Sequence, residues 1–253
     1  LIRDQGKTVG VLCVDPTSPF SGGAILGDRV RMQRHSTDEG VFIRSMATRG
    51  QFGGLTQATR GAVMVLDAMG KDCIIVETVG VGQDEVDIAR TADTTLIVLV
   101  PGMGDDIQAI KAGILEIGDI FVINKADREG VERSIQDIRA MIELGKCTSL
   151  EEKEWTPPIL KTVANQDQGI DELWKKIERH RDFLTQNHSE YYRRRIHLKH
   201  KLELVELVKQ RVVDSVLKKM EATGALDQYV EDLIARKADP YTLSEQILAK
   251  FYE

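Results

Sequence analysis

Ile120-Phe121-Val122-Ile123 is an unbroken apolar run, and Asn124-Lys125-Ala126-Asp127 follows it at once. A strand with one face in water alternates apolar and polar residues, whereas a continuous run needs cover on both faces. Val9–Val14, Cys73–Val76 and Thr95–Val100 read the same way, with shorter strands expected at Val41–Ile43 and Ile159–Thr162. Helical segments are expected between them at Leu55–Met69, Glu85–Ala92, Asp106–Gly118, Glu132–Leu144 and Glu172–Leu184. That order predicts an α/β fold, a mostly parallel sheet with helices on both faces. Ligands of such sheets bind beyond the carboxyl ends of the strands, so the loops after the runs carry the functional reading.

The loop after Ile123 suits guanine. A carboxylate at Asp127 can accept from both the ring N–H and the exocyclic amine of that base, and adenine offers no matching pair of donors. The Lys125 stem can lie against the base, and the Asn124 amide can either reach the base edge or tie neighbouring loops together. A solvated strand-to-helix turn is the plain alternative, so the other strand ends decide.

Asp15, with Thr17 and Ser18 beside it, ends the first run and suits Mg²⁺ held directly or through water. The glycine-rich stretch 21–27 ends in a second carboxylate, Asp28. Glu77, at the end of the Cys73 run, is followed three residues on by Gly80. That spacing lets a carboxylate address a metal's shell while a glycine N–H meets a γ-phosphate. Gln83 could orient a water, although Val81 and not Gln83 is the neighbour of Gly80. No G-x-x-x-x-G-K-[ST] stretch occurs. Gly6-Lys7-Thr8 has the look of its tail, but Thr8 leads into a strand, so no backbone cradle for phosphate forms there. The chain is therefore expected to bind GTP poorly and to turn it over scarcely. Arg44, Arg49 and Arg60 could serve phosphate or a partner, and sequence alone does not place them.

At 253 residues with a net charge of −6, the chain can bury a full core and offers no general surface for nucleic acid. No stretch nears the ~18 consecutive apolar residues of a membrane span. Three cysteines without ligand spacing suit a reducing compartment, the cytoplasm or a mitochondrial matrix. The opening residue is Leu1, so the natural start is expected upstream. Composition changes near residue 189. Residues 1–188 read as the nucleotide domain and 189–253 as a helical arm, with Leu198, Leu202, Val205, Val212, Val216 and Met220 forming an amphipathic stripe. Arg193–Lys201 is basic and lies beside Tyr191 and Tyr192, yet a solvated helix face is preferred to RNA contact.

With these motifs assembled, the chain resembles the ArgK/MeaB-type GTPases, chaperones of adenosylcobalamin-dependent methylmalonyl-CoA mutase and related acyl-CoA mutases. The stretches that carry the likeness are VDPTSPFSGGAILGDRVRM, FIRSMATRGQFGGLTQATR, ETVGVGQDEVDIARTADT, GDDIQAIKAGILEIGDIFVINKAD and ELWKKIERHR. The resemblance implies GTP/GDP and Mg²⁺ as ligands, with Asp15, Asp28 and Glu77 around the metal and Asn124, Lys125 and Asp127 on the base. It places Val163-Ala164-Asn165 where the family has Ser-Ala-x, whose Ala N–H meets the guanine carbonyl; Val163 replaces the hydroxyl. It gives Asp105 and Lys111 a part in relaying nucleotide state to the mutase, and it implies that the arm pairs two subunits into a homodimer. The function so implied is gating of cobalamin loading and protection of the mutase. Two other functions stay open: a nickel-insertion GTPase, which needs clustered Cys or His ligands, and a non-catalytic dimeric scaffold that keeps only the mutase-binding surface.

Overall fold

The structure, a computed structural model, describes residues 1–15, 32–35, 37–47, 54–78, 92–102, 117–148, 155–186 and 190–252. It divides into two compact units, Leu1–Ser189 and Glu190–Glu253.

In the first unit the strands are β1 (Val9–Asp15), β2 (Val41–Ala47), β3 (Cys73–Thr78), β4 (Leu96–Leu99), β5 (Ile120–Ile123) and β6 (Ile159–Lys161). Three helices are described with them: α1 (Gly54–Ala68), α2 (Val131–Thr148) and α3 (Ile170–Gln186). Every described ladder is parallel, in the orders β2-β1-β3 and β4-β5-β6. The strands thus group into two three-stranded sheets, with β3 and β4 unpaired to each other among the described residues.

Two of the four unbroken runs, β1 and β5, are the central strands. By contrast, β3 and β4 stand at the edges of the described sheets and are only partly buried, short of the two-faced cover expected of them. All four residues of β5 are buried, and so are Val9 to Val14 of β1. On one face of β1, Val9, Val11 and Cys13 pack with Ile2, Met32 and Ile43. On the other face α1 lies against Gly10, where an added Cβ would come within 2.8 Å of Leu66 Cδ1. β5 packs Phe121 and Ile123 on Val131, Ile135 and Ile138 of α2. Its Ile120 and Val122 meet Leu160, with Leu173 and Ile177 of α3 beside them. The outer strands are less covered, and Val98 of β4 is 57% exposed.

The second unit holds α4 (Glu190–Thr223), α5 (Ala225–Ile234) and α6 (Pro240–Tyr252). Gly224, at φ +66°, takes the left-handed conformation that ends α4 and opens α5. Asp239 caps α6: its Oδ1 accepts the N–H groups of Tyr241 (2.9 Å) and Thr242 (3.0 Å), and its Oδ2 accepts the Thr242 hydroxyl (2.6 Å). Those bonds, led by the Thr242 hydroxyl, hold the Asp239 carboxyl below the usual carboxylate range. Met220 and Leu243 are buried, whereas Leu198, Val205, Val208, Val213 and Leu217 along α4 are at least two-fifths exposed. Among the described residues no helix is long and apolar enough to cross a membrane.

Candidate functional site

Asn124 follows the central strand β5, and its N–H donates to the Leu99 carbonyl at the end of β4 (2.8 Å). Its side-chain oxygen accepts twice, from the Thr162 hydroxyl (3.2 Å) and from the Ala164 N–H (3.1 Å). The Ala126 N–H reaches the Thr162 carbonyl (3.0 Å), and the Thr162 N–H the Ile123 carbonyl (2.9 Å). The loops after β5 and β6 are therefore stitched together at one rim. Of the two roles open to Asn124 in the sequence, the structure displays the tie between loops. Ala164's N–H, which the resemblance assigns to a base carbonyl, is donated here to Asn124, the acceptor its neighbouring strand brings nearest.

Lys125 stands at φ +57°, a left-handed residue inside the turn that follows β5. Its carbonyl accepts the Arg128 N–H (3.0 Å), and both Lys125 and Asp127 are exposed at the rim. Val163 is buried and bridges to Gln168 through both backbone bonds, 3.0 and 3.3 Å. Ala164 and Asn165 stand exposed in the 3₁₀ turn Ala164–Gln166. Support for this turn thus comes from Asn124, Thr162 and Gln168, without a hydroxyl at 163. Gly169 closes it at φ +79°, where a Cβ would sit 2.3 Å from the Lys161 carbonyl oxygen. Only glycine fits that close approach.

The other rim belongs to the β2-β1-β3 sheet. Cys13 of β1 pairs with Glu77 of β3, and β1 continues two residues further to Asp15, paired with Ala47 of β2. Asp15 and Glu77 therefore stand at the carboxyl ends of adjacent parallel strands. Glu77 is half-buried, and its Oε2 is buried with no hydrogen-bond partner among the described residues. A buried carboxylate oxygen without a donor is costly, and a hard cation is the partner that such oxygens suit. The donor set fits Mg²⁺ on this count, although no group of three His, Cys, Asp or Glu is assembled among the described residues. Asp28, Gly80, Gln83, Asp105 and Lys111 lie outside the described residues.

Gly6-Lys7-Thr8 has a structural task. Lys7 Nζ lies 3.4 Å from Glu178 and 5.2 Å from the Trp174 ring centre. The Thr8 N–H and hydroxyl both donate to Asp72 (2.7 and 2.8 Å), and this, with the N–H first, holds that carboxyl below its usual range. His180 lies within ELWKKIERHR, yet no motif in the sequence assigns it a role. It is fully buried, with Nδ1 2.9 Å from the Thr94 hydroxyl and Nε2 3.5 Å from Asp119. Asp119 accepts the Thr95 N–H (2.8 Å), and its carbonyl accepts the Trp155 indole N–H (2.8 Å). This cluster fastens the amino end of β5, opposite the rim that carries Asn124. No spacing in the sequence announced it.

Residues 1–221 match the family described as methylmalonyl Co-A mutase-associated GTPase MeaB. A Pyrococcus abyssi protein provisionally named a GTPase is 50% identical over 249 residues, which are 97% of this chain and 75% of that protein. The GTPase ArgK of Escherichia coli is 36% identical over 263 residues, covering all of this chain and 77% of that one. The mitochondrial methylmalonic aciduria type A homolog of Mus musculus is 36% identical over 174 residues, 69% of this chain and 42% of that protein. A crystal structure described as LAO/AO transport system kinase superposes over the whole chain and 74% of its own, with a TM-score of 0.64 and 25% identity.

Proposed function

This chain belongs to the MeaB family of methylmalonyl-CoA mutase-associated GTPases, and from that premise we propose that its strand ends form a Mg²⁺–guanine-nucleotide site that signals to an acyl-CoA mutase. The observation that carries the reading is the stitched rim, where Asn124 fixes the Ala164 turn beside Lys125 and Asp127. Asp127 reads the two guanine donors, the Lys125 stem covers the base, and the 163–165 turn bounds it on the far side. For the Ala164 N–H to meet a base carbonyl, it must share or exchange its Asn124 acceptor.

Asp15, Asp28 and Glu77 would hold Mg²⁺, which when bound supplies positive charge to phosphate oxygens. Gly80 offers its N–H to the terminal phosphate, and Gln83 orients a water. Asp105 and Lys111 pass the nucleotide state to the mutase, and residues 189–253 pair two copies through the open stripe of α4, an apolar face of the kind partners cover. The work is chaperoning: admission of the cobalamin cofactor and protection of the loaded mutase, in the cytoplasm or a mitochondrial matrix. The base half of the site is selective.

Fluorescence competition with nucleotides up to millimolar concentration tests the base reading. GDP should displace a fluorescent guanine nucleotide at least tenfold better than ADP, and equal displacement by ADP contradicts it. Mutase capture in GTP, GDP and no nucleotide tests the signalling half. Capture that ignores the nucleotide favours a scaffold.

A further inference from the structure

We propose that Arg60 of α1 is a phosphate-binding residue, an assignment that rests on the guanine-nucleotide reading above. α1 runs antiparallel to the strands beneath it, as two contacts at its ends establish. Near its carboxyl end, Leu66 covers Gly10 at the start of β1. Nearer its amino end, the buried Thr59 hydroxyl lies 3.9 Å from the Met46 sulfur, close to the end of β2. The amino-terminal half of α1 is therefore level with the carboxyl rim. Met46 pairs with Val14, which pairs with Thr78, the residue after Glu77.

Arg60, next to Thr59, is on that level. Helical side chains lean toward the helix amino terminus, so a long side chain here extends toward the rim and not away from it. Arg60 is half-buried, and its Nε is buried without a hydrogen-bond partner among the described residues. A guanidinium stays charged at any ordinary pH and only donates. Its buried N–H therefore calls for an acceptor, and an anion suits it best.

Glu77 is the other orphan at this rim, and its charge is opposite. The register explains why the two do not neutralise each other. Glu77 is paired with Cys13, on the side of β1 that packs Ile2 and Ile43, whereas α1 covers the side of Gly10. A ligand above the strand ends is reached from both faces. It must present a cation to Glu77 and an anion to Arg60, and a magnesium-bound phosphate presents both.

The test compares guanosine with GDP, each with Mg²⁺, on the wild-type chain, Arg60→Gln and Arg60→Lys. Guanosine affinity is expected to be unchanged in all three, which also shows that they are folded. GDP should bind the wild type better than guanosine does. Arg60→Gln should shrink that advantage by about tenfold or more, and Arg60→Lys should restore part of it. As a readout without a variant, Mg²⁺–GDP but not guanosine should protect Arg60 from phenylglyoxal. An equal GDP-to-guanosine ratio in wild type and Arg60→Gln, the outcome if an acidic side chain holds Arg60, overturns the inference. Guanosine bound no better than adenosine sinks the base reading instead.

Discussion

The two sheets carry rims of different character. Beyond β5 and β6 the polar groups traced above are bonded to one another: Asn124 to Thr162 and Ala164, Ala126 to Thr162, Val163 to Gln168. Beyond β1 and β3, Glu77 Oε2 and Arg60 Nε are buried without partners among the described residues. A group already bonded is held in place before a ligand arrives, at the cost of exchanging that bond. An unpartnered charge destabilises the chain until a ligand neutralises it. The base half of the proposed site is thus preorganised by the protein, and the phosphate half stores an unmet demand.

The largest expected effect breaks the preorganised side at its specificity. Asp127→Asn should weaken GDP about a hundredfold, near 2.7 kcal/mol, and shift preference toward xanthosine diphosphate. Competition binding checks it. Gly169→Ala should cost about 2 kcal/mol, because a Cβ meets the Lys161 carbonyl at a left-handed position. Thermal unfolding reads the loss, and guanosine binding should fail before the fold does.

Asn124→Ala removes one acceptor from two donors and should cost about 1.5 kcal/mol. Local amide exchange should speed up at Ala164. On the other rim the sign reverses. Glu77→Gln should leave the ligand-free chain as stable or up to about 1 kcal/mol more stable, while abolishing stabilisation by Mg²⁺ with GDP. A large loss of ligand-free stability would show that Glu77 is structurally satisfied and would erase the contrast between the rims.

The smallest effect lies away from both rims. Arg3 donates to both Asp38 oxygens (2.9 Å each), and these bonds, with the Gly40 N–H next, hold the Asp38 carboxyl below its usual range. A depressed carboxylate contributes stability above its unfolded pKa, about 3.9, and that contribution fades as pH falls through the folded value. The gap between the urea midpoints of wild type and Arg3→Gln should be full at neutral pH and begin to narrow only as pH falls below about 4. A remainder should persist from the Arg3 bond to the Lys7 carbonyl.

Much of the fold was legible because burial on both faces leaves a plain mark. β5 runs over Ile120–Ile123 as expected, and β1 exceeds its expected range by one residue, Asp15. β2 was harder: it continues through Arg44 and Ser45 to Ala47, and polar residues on a partly exposed outer strand hide its length. The grouping into two sheets was not legible, since side-chain patterns name strands but not their neighbours. At the site, the Asn124–Asp127 motif was visible as chemistry, yet its bonds to Thr162 and Ala164 join residues about forty positions apart. The need for glycine at 169 comes from the Lys161 carbonyl, eight positions back, which only the fold brings beside it. Arg60 and Arg44 look alike in the sequence, and it is the packing of α1 along β1 and β2 that sets Arg60 level with the rim.

Amide NMR of the chain titrated with Mg²⁺–GDP and with Mg²⁺–ADP reads the base-binding rim residue by residue. The account predicts that GDP moves the Ala164 and Asp127 amides, as Ala164 shares or exchanges its Asn124 acceptor, while ADP leaves them in place. Equal shifts with both nucleotides, or GDP shifts that spare the loops after β5 and β6, would contradict it.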